Sequence, residues 1–197
     1  MSDFFEVFGL ERRLAIDVAA LQRRFYELSR RWHPDFHQAA APAEQARALE
    51  ESARVNAAYR ALRDPLARVE YLIRLEEGRA TREGAVVKPK APPALLAEMF
   101  EIQEALEARG DSLDDGTRAT LTVQRDALRA RMAEAEAQIA GPLSRAWDAA
   151  AAADRPAALA ALKDALATRA YLRTVIDDLA NALGEGTEET HVANRRD

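Results

Sequence analysis

Apolar residues recur at steps of three and four along most of this chain, and that spacing restricts it to packed helices. One stripe advances by 4, 3, 4 and 3 residues and consists of Ala48, Ser52, Val55, Tyr59 and Leu62. The preceding stretch carries a similar stripe, which consists of Val18, Leu21, Phe25, Leu28 and Trp32. One apolar stripe on each of two consecutive helices predicts an antiparallel pair with a shared seam.

Capping signals give the bounds of the helices in the first half of the chain. Asp17 and Asp64 are good N-caps, and Pro65 suits the first position of a helix. Gly9 and Gly78 are typical of helix C-termini. These signals predict helices over about residues 3–8, 18–33, 42–63 and 65–78.

The second half of the chain predicts three further helices. They span about 93–109, 114–152 and 156–183, and Gly141-Pro142 should bend the second. Three helices with apolar stripes indicate a three-helix bundle, and we find no strand. The expected fold class is therefore all-α. Its expected parts are an N-terminal domain over 1–78, a proline-bearing linker over 79–92, the bundle over 93–183 and a disordered tail over 184–197.

Composition excludes several classes of function. The chain has no cysteine, which excludes disulfides, thiolate zinc sites, iron–sulfur ligation and cysteine nucleophiles. A net charge of −5 argues against a general nucleic-acid-binding protein. No apolar run approaches the ~20 residues that span a bilayer, and no signal-peptide pattern is visible. We therefore expect a cytoplasmic protein without a nucleic-acid partner, a membrane partner or a cofactor.

The sequence Trp32-His33-Pro34-Asp35 lies between the two paired helices. Proline fixes its own φ and pushes the preceding residue toward extended backbone. The loop should therefore be stiff and should display Asp35. A carboxylate held in this way can form a charge-assisted bond with an arginine of another protein. The alternative is an ordinary turn, since Pro-Asp is common after helices.

The helix before this loop is strongly basic. Between residues 18 and 32 it has four arginines and one acid, Glu27, which gives +3. The arginines are Arg23, Arg24, Arg30 and Arg31, and all four lie off the apolar stripe. Such a surface can dock on an acidic groove, and its binding should weaken as salt rises. We expect the largest contributions from Arg24 and Arg30 and the smallest from Arg23; the alternative is a solvated helix face.

These residues closely resemble a J-domain. The resemblance is carried by residues 4–10, 21–26, 32–35 and 55–62, and the run over 64–73 is similar to the HscB type, a co-chaperone of iron–sulfur cluster assembly. It implies that His33, Pro34 and Asp35 trigger ATP hydrolysis in a dedicated DnaK-type (HscA-like) chaperone. It further implies that the C-terminal domain delivers the iron–sulfur scaffold protein (IscU-like) to that chaperone. The chain itself would have no active site.

The first bundle helix carries two apolar stripes. Leu95, Met99, Ile102 and Leu106 suit the bundle core, whereas Leu96 and Phe100 lie one position further round the helix. A small bundle cannot bury both stripes, so an exposed apolar patch with an acidic rim is expected. The HscB resemblance places client-binding residues at Leu96, Phe100, Glu101, Glu104 and Tyr171. The alternative is that Leu96 and Phe100 pack against the N-terminal domain.

Other functions have weaker support in the sequence. His33 and His37 are four residues apart, but Pro34 prevents an ordinary helix between them and a third metal ligand is missing. Glutamates at 98, 101, 104 and 107 form an acidic strip without a nearby histidine or nucleophile, which disfavours a hydrolytic enzyme. A J-domain protein or plain helical adaptor that serves another client remains the alternative function.

Overall fold

The computed structural model describes residues 3–78, 96–97, 99–100, 102, 104 and 114–185. The helices are α1 (Phe4–Val7), α2 (Val18–Arg31), α3 (Pro42–Arg63), α4 (Pro65–Glu76), α5 (Asp115–Gln138), α6 (Ser144–Ala149) and α7 (Arg155–Ala182). A 3-10 turn covers Pro34–His37, and a π-helical turn covers Ile139–Leu143. No strand occurs among the described residues, and none of their helices has the length and apolarity to cross a bilayer. The all-α fold class is confirmed. The predicted linker over 79–92 and the tail beyond Glu185 lie outside the described residues.

Local capping explains where the first helices begin and end. The carboxylates of Asp17 and Asp64 each accept the N–H of the residue three positions later, at 3.0 and 2.8 Å. Gly9 and Gly78 follow α1 and α4 with φ of 60° and 68°, a left-handed conformation that glycine adopts without a steric penalty. The predicted bounds of α3 agree with the structure, and the other three helices differ from prediction by one or two residues at their ends.

The predicted seam between α2 and α3 forms the centre of the N-terminal core. Leu21 of α2 and Val55 and Leu62 of α3 are fully buried, and the rings of Phe25 and Tyr59 stack with centroids 4.0 Å apart. Val18 was expected in the same stripe, but 44% of it is exposed. It is the first residue of α2, and full burial of the stripe begins one turn later, at Leu21.

A buried arginine joins the loop after α1 to the end of α3. Arg68 of α4 is 4% exposed, and its guanidinium donates to the backbone carbonyl oxygens of Leu14 and Leu62, the latter at 2.8 Å. Burial lowers the pKa of Arg68, because the charged form loses solvation. The carbonyl oxygens replace the lost contacts with water. The arginine therefore links two backbone segments by hydrogen bonds, which a purely apolar side chain cannot form.

The compact units do not follow the expected domain boundary. One unit consists of Met1–Val86 together with Ile139–Leu159, and the other consists of Val87–Gln138 together with Ala160–Asp197. Ile139 and Trp147 are buried within the first unit. The carboxylate of Asp148 accepts the backbone N–H groups of Leu14 and Ala15, both at 2.8 Å. The region around Gly141-Pro142, where the sequence predicts a bend, is a π-helical turn.

Within the part of the second unit that the structure describes, an apolar core contains residues from three helical segments. Its buried members are Ile102, Leu121, Leu128, Leu172, Val175, Ile176, Leu179 and Leu183. Met99, Met132 and Tyr171 pack against this cluster and are partly buried. The segment with Met99 and Ile102, α5 and α7 therefore share a core, as expected for a three-helix bundle.

Two arginines of α5 fix the C-terminal end of α7. Arg118 donates to the carbonyl oxygen of Leu183 at 2.9 Å, and the buried Arg125 pairs with Asp126 and Glu185. Hydrogen bonds raise the pKa of Arg125, and the bond to Asp126 has a larger effect than the bond to Glu185. The first two residues of the predicted tail, Gly184 and Glu185, are therefore held against the bundle.

We expect Asp148→Ala to destabilise the first unit. The substitution leaves the N–H groups of Leu14 and Ala15 without their charged acceptor, and bonds to charged groups contribute about 1.5–3 kcal/mol. Chemical denaturation should therefore report a loss of about 2 kcal/mol in the free energy of unfolding. Asp164→Ala, at an exposed position of α7, is the control and should change it by less than about 0.5 kcal/mol. Equal effects of the two variants would contradict the proposed anchoring.

Candidate functional site

The tripeptide His33-Pro34-Asp35 starts a 3-10 turn within the connection between α2 and α3, where the sequence predicts a stiff loop. His33 has φ −65° and ψ 126°, the extended conformation predicted for a residue before proline. Its Nδ1 atom accepts the backbone N–H of Asp35 at 3.3 Å and lies 3.5 Å from the Asp35 carboxylate. The histidine side chain therefore caps the turn that presents the aspartate.

The turn is anchored to α2 through His37. The rings of His37 and Trp32 stack with centroids 6.2 Å apart. Because a carbonyl oxygen can only accept, the His37 Nε2–H donates to the carbonyl of Arg31, at 3.0 Å. Among the described residues, neither His33 nor His37 belongs to a group of three or more His, Asp or Glu side chains that could hold a metal ion.

The turn is also attached to α3. Gln45, in the first turn of α3, donates through Nε2 to the carbonyl oxygens of Gln38 and Ala40, both at 2.9 Å. The guanidinium of Arg47 lies 5.5 Å from the centre of the Trp32 ring. Contacts with both paired helices therefore restrict the turn on both sides.

The functional groups of the turn face solvent in spite of these anchors. The side chain of His33 is 53% exposed, and that of Asp35 is 70% exposed. The next residue, Phe36, is 68% exposed and meets the His33 ring edge-on, with centroids 5.9 Å apart. In the free protein the Asp35 carboxylate therefore remains accessible to solvent and to a partner, while its backbone is already held in position.

The four arginines of α2 divide into two pairs. Arg23 and Arg30 are exposed and lie about 20° apart around the helix, on the side opposite the buried seam. Arg24 donates through Nη1 to the carbonyl oxygens of Phe8 and Gly9, the latter at 3.2 Å. Arg31 places its guanidinium 5.1 Å from the centre of the Trp32 ring. Arg23 and Arg30 form the open basic surface, whereas Arg24 and Arg31 also hold neighbouring structure in place.

The second candidate surface belongs to the C-terminal unit. Phe100 is 64% exposed and Glu104 is exposed, whereas Leu96 is half-buried. Tyr171 packs against the core cluster and is partly buried. Glu101 lies outside the described residues. The structure therefore separates Met99 and Ile102, which contact the core, from Phe100, which faces solvent. Leu96, which the two-stripe pattern predicts to be exposed with Phe100, is half-buried.

Sequence reasoning missed Phe36, Arg68 and Asp148. A signal for Phe36 was present, since an aromatic residue that lies off both apolar stripes and beside a rigid turn has no core to enter. Arg68 and Asp148 gave no such signal. Their partners are backbone groups 54 and 134 residues away, and no local pattern encodes such contacts.

Known protein families match both halves of the chain. Residues 3–71 match the DnaJ domain, and residues 91–155 match the HSCB C-terminal oligomerisation domain. The first match includes the whole turn and all four arginines of α2. The second begins before the helical segment with Leu96 and Phe100 and extends to the start of α7.

Two solved structures share the fold along most of its length. Chaperone HscB from Vibrio cholerae has a TM-score of 0.60 and 24% sequence identity, over 93% of this chain and 99% of that chain. Human co-chaperone protein HscB has a TM-score of 0.62 and 24% identity, over 92% of this chain and 82% of that chain. These two likenesses concern the fold, whereas the family matches concern sequence.

The contacts of Arg24 predict that the arginines of α2 have separable effects on stability. Arg24→Ala removes a donor to two carbonyl oxygens after α1 and should lower the free energy of unfolding by about 1 kcal/mol. Arg30→Ala, on the open surface, should change it by less than about 0.5 kcal/mol. Thermal or chemical denaturation of the two variants provides the measurement. A loss from Arg30→Ala as large as that from Arg24→Ala would refute the division into pairs.

Proposed function

This chain belongs to the HscB-type J-domain co-chaperones, and from that premise we propose that it stimulates the ATPase of a dedicated, HscA-like DnaK-type chaperone. We further propose that it delivers an IscU-like iron–sulfur scaffold protein to that chaperone. The chain supplies no reacting group in this function. It binds two proteins, and ATP is hydrolysed by one of them.

The observation that carries the proposal is the fixed and exposed Asp35. Its backbone N–H is held by His33, and its carboxylate is 70% exposed. An arginine of the chaperone can therefore meet a carboxylate whose position is already restricted, which reduces the entropy lost on binding. A trigger of this kind acts by favouring the hydrolysis-competent conformation of the partner.

The open basic surface supports the first encounter. Arg23 and Arg30 can attract an acidic surface over about one Debye length, roughly 8–10 Å at physiological salt. Such attraction mainly accelerates association, whereas the close contact of Asp35 limits dissociation. Arg24 and Arg31 add to the same positive field, while Arg24 also binds the carbonyl oxygens that follow α1 and Arg31 contacts the Trp32 ring.

The surface around Phe100 supports scaffold binding. An exposed aromatic ring near the exposed Glu104 combines apolar area with an acidic rim, and aromatic anchors with polar rims are typical of protein interfaces. Leu96 can add apolar area, because it is only half-buried. We assign the client to this surface, with Glu101 and Tyr171 as further contacts.

A coupled ATPase assay tests the whole proposal. The purified chain alone should show no ATP hydrolysis, and it should accelerate hydrolysis by an HscA-like chaperone. Addition of the IscU-like scaffold should increase the rate further. A chain that leaves the chaperone rate unchanged would be a plain helical adaptor. Acceleration without any effect of the scaffold would indicate a J-domain protein with another client.

Asp35→Asn and His33→Gln should reduce the stimulated ATPase rate to nearly that of the chaperone alone. The asparagine keeps the shape of the side chain but loses the charge that an arginine would pair with. Both side chains are at least half exposed, so the fold should persist, as circular dichroism can verify. Glu50→Gln, an exposed carboxylate-to-amide change on α3, is the matched control and should retain stimulation. Full stimulation by Asp35→Asn would rule out the assigned trigger.

The double variant Leu96→Ala/Phe100→Ala should weaken scaffold binding by about tenfold or more. A buried side chain of this size contributes roughly 1.5–3 kcal/mol, and about 1.4 kcal/mol corresponds to a tenfold change in Kd. Titration calorimetry against the scaffold provides the measurement, and the stimulation of the chaperone in the absence of scaffold should persist. Val123→Ala, at another exposed apolar position of the same unit, is the control. Undiminished affinity of a stable double variant would place the client site elsewhere.

A further inference from the structure

Phe36 is an exposed aromatic residue that neither the fold nor the proposed trigger requires. It is 68% exposed, more than Phe100 at 64% or Tyr26 at 61%. Its ring does not belong to the α2–α3 seam, and its one aromatic neighbour among the described residues is the half-exposed His33. A large apolar surface in water at the tip of a rigid turn indicates a binding role, because it contributes little to the core.

The backbone on both sides of Phe36 is fixed. Its own N–H donates to the carbonyl oxygen of His33 at 3.0 Å, and the following residue, His37, is anchored on Arg31 and Trp32. Only the two side-chain torsions of the phenylalanine remain to be restricted on binding. A preorganised aromatic side chain of this kind loses little conformational entropy, which is why aromatic residues serve as interface anchors.

The neighbours of Phe36 indicate what kind of partner it meets. Asp35 is adjacent in sequence and 70% exposed, so both side chains approach any partner of the turn together. The exposed Arg30 lies near the C-terminal end of the basic helix, shortly before Pro34–His37. A partner that accepts all three groups offers an arginine for Asp35, an acidic surface for Arg30 and an apolar pocket beside that arginine.

We propose that Phe36 inserts into an apolar pocket of the DnaK-type chaperone, beside the arginine that receives Asp35, and supplies affinity that charge alone does not. This inference rests on the proposed function, since it names a further contact of the same docking surface. In this scheme Asp35 triggers hydrolysis and contributes to binding, whereas Phe36 contributes to the lifetime of the complex alone. Loss of the ring should therefore raise the protein concentration that gives half-maximal stimulation of the chaperone. The rate of ATP hydrolysis at saturation should be unchanged.

The test is a titration of the HscA-like chaperone with full-length protein, in which the ATPase rate is followed to saturation. Phe36→Ala should raise the half-saturating concentration by about tenfold, which corresponds to about 1.4 kcal/mol. It should leave the maximal rate unchanged. Phe36→Leu, which keeps most of the apolar volume, should recover most of the loss. The salt dependence of the half-saturating concentration should match that of the wild type, because the charged contacts remain.

Controls separate this contact from structural effects and from other occupants. Val123→Ala removes a similarly exposed apolar side chain, 69% exposed, from the other unit and should not change either parameter.

The possible outcomes separate this inference from the proposed function. If the wild type stimulates the chaperone and Phe36→Ala leaves the half-saturating concentration unchanged, the inference is overturned and the proposed function stands. A reduced maximal rate would also overturn it, because the ring would then act by placing Asp35. Sedimentation that shows a wild-type dimer dissociated by Phe36→Ala would assign the ring to self-association instead. A wild-type protein without stimulation would refute both proposals.

Discussion

The antiparallel seam between α2 and α3 determines where the exposed turn lies and how much it can move. Leu21, Val55 and Leu62 are fully buried there, and burial of each such side chain contributes roughly 1.5–3 kcal/mol. The two helices run in opposite directions, so the end of α2 and the start of α3 come together. The turn is attached to both: His37 donates to a carbonyl oxygen of α2, and Gln45 of α3 donates to Gln38 and Ala40.

The arginines of α2 have two different roles. Arg23 and Arg30 point away from the seam and can attract an acidic partner, whereas Arg24 holds the carbonyl oxygens that follow α1. Gly9 belongs to that arrangement. Its φ of 60° favours glycine, and a Cβ atom there would lie 3.2 Å from the Arg24 guanidinium. A charge count alone would assign all four arginines of α2 to docking and would misjudge the stability of an Arg24 variant.

The segment Ile139–Leu159 belongs to the N-terminal compact unit although it follows α5 in sequence. Trp147 and Ile139 supply apolar contacts, and the Asp148 carboxylate receives two backbone N–H groups of the loop before α2. A carbonyl oxygen of that loop, on Leu14, also accepts a hydrogen bond from the buried Arg68. The loop that leads into the basic helix is thus fixed by one acid and one base from distant parts of the chain. The stability of the N-terminal unit depends on residues that the sequence pattern assigns to a different domain.

The sequence by itself determined the four helices of the first half of the chain and their ends to within two residues, the α2–α3 seam and the extended conformation of His33. Each of these follows from contacts within a few residues: period, caps and the steric demand of proline. Tertiary structure alone decided that Arg24 binds carbonyl oxygens, that Val18 stays exposed and that Phe36 stands beside Asp35 on a turn anchored by His37. It also decided that Asp148 and Arg68 hold the loop at Leu14. These outcomes depend on which backbone groups remain unpaired once the helices have packed. The identity of those groups is a property of the assembled chain, and a local pattern does not contain it.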